Sequence, residues 1–282
     1  MKGKICVVTG SNSGIGRETA LALANMGATV VMAVRNQERG QKARNEIVDK
    51  TGNNATDMMI CDVSSKESIR NFAKTFTSKY DRLDVLINNA GAVFFKRQTT
   101  HHGFERTLAV DYLGPFLLTH ELLPLLKSSA PSRIINVSSG LHKSGKVDLD
   151  DLQSEKGYGG MKVYSNAKLM LIMFTYMLAR RLEGTGITVN AVLPGFVATN
   201  LGKGGGSLRQ SIAFKLVRPM QISAKRGAET SVYLASSDEV KNVTGKCFAK
   251  KKETKTNLIS YDQELQERLW NKTIELLGLT SF

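Results

Sequence analysis

Cysteine is scarce in this chain. Cys6, Cys61 and Cys247 are the only three among 282 residues, and each falls in a strand-like apolar run. An odd count in such places offers no disulfide framework and fits structural thiols in a reducing cytosol. Long hydrophobic runs are missing too. The longest, Leu169 to Ala179, contains Thr175 and Tyr176 and ends at Arg180-Arg181. It is too short to cross a bilayer and reads as a buried helix. No targeting segment is legible in Met1-Lys2-Gly3-Lys4, which leads directly into a short apolar strand, so the expected location is cytoplasmic. Low-complexity linkers and internal repeats are also absent, which favours a single domain over residues 1–282. Finally, no acidic residue occurs between Gly184 and Ala228.

Positive charge, by contrast, is abundant. The net charge of +14 permits a nucleic acid or an anionic membrane as partner, and it equally suits an anionic substrate or cofactor. No recognised nucleic-acid reading module is present, so nucleic acid is not the expected partner.

Strand-like and helix-like segments alternate along the chain. Lys4 to Thr9 is a buried strand by its β-branched run. It feeds Gly10-Ser11-Asn12-Ser13-Gly14-Ile15-Gly16 and then an Ala/Leu-rich helix through Met26. A strand, a glycine turn and a helix N-terminus together cradle a phosphate, because glycine admits the anion and the helix end supplies N–H donors. Ala28 to Val34 is the second strand. Arg35-Asn36 follows it, with no acid until Glu38, and Arg17 adds a nearby cation. An arginine here suits the 2′-phosphate of NADP(H), where a carboxylate would suit NAD.

Further strands are expected at 57–61, 84–87, 133–137 and 188–193, with helices at 65–79, about 103–127 and about 262–277. Repeated βα units imply an α/β, Rossmann-type doubly wound parallel sheet with helices on both faces, and ligands then bind at the carboxyl ends of the strands. Asp62, Asn88, Ser138, Ser139 and Pro194-Gly195 all fall at such ends.

Tyr164 and Lys168 stand four residues apart at the head of the apolar run, a spacing that shares one helix face. A cation about 5 Å from a phenol, at an effective dielectric of about 20, favours phenolate by about 3 kcal/mol, or roughly two pKa units. Such a pair is an acid/base catalyst. The same spacing also describes a surface tyrosine beside a solvated lysine, and Tyr158-Gly159-Gly160-Met161-Lys162 repeats it where two glycines disfavour a continuous helix. Only a cofactor site and a second polar group nearby give Tyr164 its meaning.

With these residues in order, the chain resembles the short-chain dehydrogenase/reductases from residue 4 to the C-terminus, and more narrowly their retinol dehydrogenase-like branch. Thr9-Gly10, Gly14-Ile15-Gly16, Asn88-Asn89-Ala90-Gly91, Ser139, Tyr164/Lys168 and Pro194-Gly195 carry the resemblance, with Leu152-Gln153 and Arg268-Leu269-Trp270 for the branch. It implies an NADP(H)-dependent oxidoreductase acting on a hydrophobic carbonyl or alcohol, retinoid-like or another lipophilic aldehyde or ketone, with no metal. Ser139, or failing that Ser138, would polarise the carbonyl, Tyr164 would exchange the proton, and Lys168 would lower the tyrosine pKa and hold the nicotinamide ribose. Gly10, Ser11, Asn12, Ser13, Gly14, Ile15, Gly16 and Arg35 would take the phosphates. Asp62 and Val63 would meet the adenine, Asn88, Asn89, Ala90 and Gly91 would line the cofactor, and Pro194, Gly195, Val197 and Thr199 would face the carboxamide.

One departure stands out. The family's relay asparagine lies in a motif that here reads Val110-Asp111-Tyr112-Leu113-Gly114-Pro115-Phe116. Asp111 can raise the tyrosine pKa, relay protons itself, or signal a dinucleotide-binding regulatory protein with little catalysis. Pro115 is unexpected inside a helix. The basic segment at about 200–225 corresponds to the family's substrate lid and, being amphipathic, also suits peripheral contact with an anionic membrane. The helix of Tyr164 is apolar all round, so it needs two covers; the sheet is one, and a second subunit in a homodimer is the expected other.

Overall fold

Five of the eight strands among the described residues are apolar and buried almost end to end, and the sheet shows why. In the computed structural model, which describes residues 1–196 and 222–280, the strand order is β3-β2-β1-β4-β5-β6-β7-β8. The strands are β1 (Ile5–Thr9), β2 (Thr29–Val34), β3 (Thr56–Ile60), β4 (Val85–Asn88), β5 (Ser132–Val137), β6 (Ile187–Leu193), β7 (Lys246–Ala249) and β8 (Lys252–Glu253). All pair in parallel except β8, which turns back antiparallel on β7. A parallel sheet buried on both faces needs apolar residues at successive positions. Strand alternation then divides them: Val7 enters one core, while Cys6 and Val8 enter the other.

The first core packs beneath α3 (Lys66–Lys79), α5 (Gly114–Ser128) and α6 (Gly160–Arg181). The second packs beneath α1 (Gly14–Asn25), α2 (Gln37–Thr51) and the helix Ala224–Ser236. This is the doubly wound arrangement expected. Burial pushes the thiols of Cys6, Cys61 and Cys247 up to about 12, so these free cysteines are inert structural groups.

The long helical stretch begins later than its sequence suggests and is not uniform. A short α4 (Arg106–Leu108) runs into a π-turn at Ala109–Leu113 and only then into α5. Gly114 N–H bonds the Ala109 carbonyl five residues back. Pro115 has no N–H for the carbonyl of Asp111, so the wider turn accommodates it at the start of α5. Pro124 sits inside α5. Asp111 is at the centre of the π-turn.

The chain also supplies its own second cover for α6. Every residue from Ala167 to Ala179 is buried. The C-terminal helix Gln263–Leu277, capped by Asp262 and stopped by Gly278 at φ +66°, lays Trp270 against Phe116 and Phe174 at ring-centroid distances of 4.9 and 5.9 Å. Tyr176 stacks on Tyr261 at 5.3 Å. The face of α6 expected to meet a second subunit is covered within the chain. One bond in this seam joins the Tyr112 hydroxyl to Thr273 Oγ1 at 2.7 Å, both groups buried. Thr273→Val strands the phenol, and thermal or urea unfolding should show a loss of about 1–3 kcal/mol.

Among the described residues no helix is long and apolar enough to cross a membrane. Val197, Thr199 and residues 200–221 of the expected lid lie outside the described residues; Lys225 belongs to the first turn of the helix Ala224–Ser236, which Ser223 caps.

Candidate active site

The sheet reverses its winding between β1 and β4, and the loops after these two strands meet there. Asn89 Nδ2 donates to the Thr9 carbonyl at 2.7 Å, and the N–H groups of Asn89 and Ala90 both donate to Thr9 Oγ1 at 2.9 Å. Gly10 has φ +64°, and a Cβ there would stand 2.9 Å from Ala90 Cα. A Cβ on Gly16 would collide with Asn89 Nδ2 and the Gly10 carbonyl. Glycine is therefore required by close packing of the two loops as well as by any ligand. At the N-terminus of α1, Ser13 makes no side-chain cap and the first turn holds no acid. Those N–H groups are free to receive an anion.

A groove of about 650 Å³ opens above this point. Gly10, Asn12, Ser13, Gly14, Ile15 and Gly16 line it from the first loop, Arg35 from the end of β2, and Asp62 and Val63 from the end of β3. Asn89, Ala90 and Gly91 line it from β4, Pro194 from β6, and Tyr164 and Lys168 from α6. The groove is long and strand-end in position, and its floor is the glycine cradle, so these residues fit a dinucleotide.

Several of the expected residues lie away from the groove lining. Asn88 does not face the groove: it is 1% exposed and donates inward to Thr119 Oγ1 at 3.1 Å and Asn136 Oδ1 at 2.8 Å. Alternation along β4 sends Asn89 outward instead. The Ser11 side chain is fully buried and lies off the groove lining. Gly195, at φ +87°, is exposed and also lies off the lining. Arg17 is engaged by Glu18 at 3.0 Å and Glu46 at 3.2 Å, away from the groove. A second cation that does line the groove is Arg39, which is not among the residues expected from the sequence. The cap at Asn36, whose side chain accepts from Arg39 N at 2.9 Å, starts α2 so that Arg39 lies one turn in and shares the groove with Arg35. An N-cap asparagine directly after Arg35 was the available signal.

At the inner end lies the reactive set. Tyr164 is 7% exposed and Lys168 3%. Lys168 Nζ is 5.6 Å from the centre of the Tyr164 ring, and Ser139 lies near enough to the phenol to pull its pKa down. The two serines differ in their partners: Ser138 lines the groove but its Oγ donates to the Lys168 carbonyl at 2.8 Å, tying β5 to α6, whereas Ser139 lies off the lining, beside the phenol. Ser139 also accepts from Leu141 N at 3.2 Å. Tyr158 sits in the loop before α6, bonded to the Phe94 carbonyl at 2.6 Å and Glu105 Oε1 at 3.1 Å, and Lys162 is exposed. That second Tyr/Lys pair is therefore not a site.

Lys168 is not a free cation. Its Nζ lies 2.9 Å from Asp111 Oδ1 and donates to the Val137 carbonyl at 3.0 Å, while Ala92 N–H donates to Asp111 Oδ2 at 3.2 Å. Burial pushes the Asp111 carboxyl up against the opposing pull of Lys168. Burial also acts to lower Lys168, but Asp111 and Tyr164 outweigh it and raise the ammonium above its ordinary range. The phenol departs from the sequence reading. Burial pushes Tyr164 above its ordinary value, Lys168 pulls it down, and Asp111 pushes it up again. The lowering expected from a lone ammonium is outweighed, because the phenol has little water and the ammonium has a carboxylate partner.

The comparisons with known proteins agree with this geometry. A family model described as short chain dehydrogenase matches residues 4–207. The chain belongs to the short-chain dehydrogenase family, and within it is retinol dehydrogenase-like. It is 42% identical over 279 residues to retinol dehydrogenase 12 of Homo sapiens, covering 99% of this chain and 88% of that protein. To retinol dehydrogenase 13 of Homo sapiens it is 40% identical, covering 98% and 85%. A crystal structure of an uncharacterized protein from Mycobacterium Paratuberculosis superimposes with a TM-score of 0.81 at 29% identity over 99% of this chain and 94% of that one. The Pseudomonas aeruginosa RhlG/NADP active-site complex gives 0.71 at 26% identity over 88% and 95%.

Proposed function

We propose that the protein is an NADP(H)-dependent oxidoreductase that interconverts a lipophilic aldehyde or ketone, retinoid-like in size and polarity, with its alcohol. The observation that carries this reading is that the Tyr164 phenol and the Lys168 ammonium line the inner end of a groove floored by the glycine loop, with Ser139 beside the phenol. A reduced nicotinamide supplies the hydride. Ser139 holds the carbonyl oxygen and Tyr164 gives it a proton, or takes one during alcohol oxidation. Lys168 orients the phenol and reaches the ribose. Names of the relatives, all retinol dehydrogenases, support the substrate class, and the RhlG complex supports the nucleotide.

Arg35 and Arg39 together receive the 2′-phosphate. Charge-assisted hydrogen bonds of this kind contribute about 1.5–3 kcal/mol each, so Arg35→Ala should weaken NADPH binding about 10- to 100-fold by fluorescence titration. NADH binding should change little; an equal loss for both nucleotides would remove Arg35 from discrimination. The proposal as a whole is tested by following NADPH consumption with a panel of long-chain and retinoid aldehydes. Binding of NADPH with no turnover across that panel would favour the alternative of a dinucleotide-binding regulatory protein, for which the Asp111–Lys168 pair is the specific support.

A further inference from the structure

Resting on that reading, we infer that Asp111 is a positioning residue that acts through Lys168 to keep the Tyr164 proton in place, setting the site to donate a proton to a bound carbonyl across neutral and mildly alkaline pH. Asp111 stands where the family pattern has an amide, and what it touches here is the lysine itself.

The geometry gives the substitution a defined consequence. Asp111 is 0% exposed and is held from two sides, by Lys168 Nζ at 2.9 Å and by Ala92 N–H at 3.2 Å. The Gly91 backbone closes over the pair: a Cβ there would stand 2.8 Å from Asp111 Oδ1 and 3.3 Å from Lys168 Nζ. The carboxylate therefore has no room to swing away. Among the described residues, the charged and titratable groups around the phenol are few. From α6 there is Lys168, and from the π-turn Asp111. Behind Asp111, next to α4, lies Glu105, also 0% exposed, which accepts from the N–H groups of Thr107 and Leu108 and from the Tyr158 hydroxyl. The end of β5 and the loop after it bring the Val137 carbonyl to Lys168 Nζ, the Ser138 hydroxyl to the Lys168 carbonyl, and Ser139 beside the phenol. Among the described residues, the one cation facing the phenol is thus matched by a carboxylate in contact with it, with a second carboxylate behind. What the phenol feels is a dipole rather than a free charge, and a dipole stabilises phenolate far less.

The chemistry follows with its protons accounted for. In reduction by NADPH, the carbonyl carbon takes the hydride, its oxygen takes the Tyr164 proton, and the remaining phenolate regains a proton from water. In oxidation the phenolate must exist before the alcohol proton can leave. Below the Tyr164 pKa, reduction is independent of pH and oxidation rises tenfold per pH unit; above it, reduction falls and oxidation levels off. Raising that pKa extends the plateau of reduction upward.

The test reads the phenol directly. Tyrosinate absorbance is titrated in the cofactor-free protein, and the difference between wild type and Tyr164→Phe isolates the one phenol. The titration is repeated with Asp111→Asn and Asp111→Asn/Tyr164→Phe. We expect Tyr164 to titrate above a free phenol in wild type and about one to two pH units lower in Asp111→Asn, from loss of one charge at short range. The break in kcat/KM for carbonyl reduction should move down by the same amount. Superimposable Tyr164 titrations in wild type and a folded Asp111→Asn would overturn the inference. So would a wild-type Tyr164 that titrates at or below a free phenol, which needs no Asp111 variant. Absence of turnover with the titration shift intact would instead sink the catalytic reading and leave the Asp111 effect standing.

Discussion

Replacing Tyr164 by phenylalanine is expected to lower kcat/KM for NADPH-dependent carbonyl reduction by about 100- to 10,000-fold, the range a positioned proton donor contributes. The ring is 7% exposed and packs at the head of α6, and phenylalanine preserves that packing. Only the hydroxyl, which lies beside Ser139, is lost. NADPH affinity should therefore stay within a few-fold, and the melting temperature should hardly move. Fluorescence titration and steady-state kinetics on the same preparation separate binding from chemistry. Equal turnover by wild type and variant would remove Tyr164 from the mechanism.

The second large effect concerns stability. Lys168→Met is expected to destabilise the fold by about 3–5 kcal/mol near neutral pH, because it leaves Asp111 charged, buried and unpaired. Asp111 is 0% exposed, and its remaining partner, Ala92 N–H, cannot replace an ammonium. The carboxyl escapes by keeping a proton, so its folded-state pKa rises further above the unfolded value. An acid with a raised folded pKa binds more protons folded than unfolded, and stability falls as pH rises from the unfolded pKa through the folded one. The deficit of Lys168→Met should thus be small near pH 4 and grow toward neutrality. Adding Asp111→Asn should recover most of the loss and flatten the pH dependence. Urea unfolding of the three proteins at several pH values reads this directly. A deficit independent of pH would show that Asp111 is not the stranded charge.

Much of this was legible before any coordinates. The βα alternation, the glycine turn after β1 and the polar residues at strand ends are local patterns, and local patterns survive folding. Strand alternation was readable in principle: Asn88 and Asn89 are neighbours, and β4 can send only one of them to the groove. The reading assigned both because a motif does not state which way its residues face. Arg39 was missed because its position depends on how α2 leaves the sheet, which Asn36 fixes through a cap. The cover over α6 was misattributed to a partner because Trp270 is distant in sequence from Phe116 and Phe174. The lowered tyrosine pKa failed for a related reason. Tyr164/Lys168 is a spacing on one helix, whereas the contact that decides their electrostatics comes from a π-turn on another segment.

The central claim is that this groove brings a hydride donor and the Tyr164 proton to one carbonyl. It is tested most directly with NADPH deuterated at the nicotinamide C4 and a lipophilic aldehyde that the protein consumes, with the alcohol analysed by mass spectrometry. The account predicts one deuterium on the carbinol carbon of the product. Product alcohol without deuterium from either face of the labelled nucleotide, or no alcohol while NADPH is bound, would contradict it.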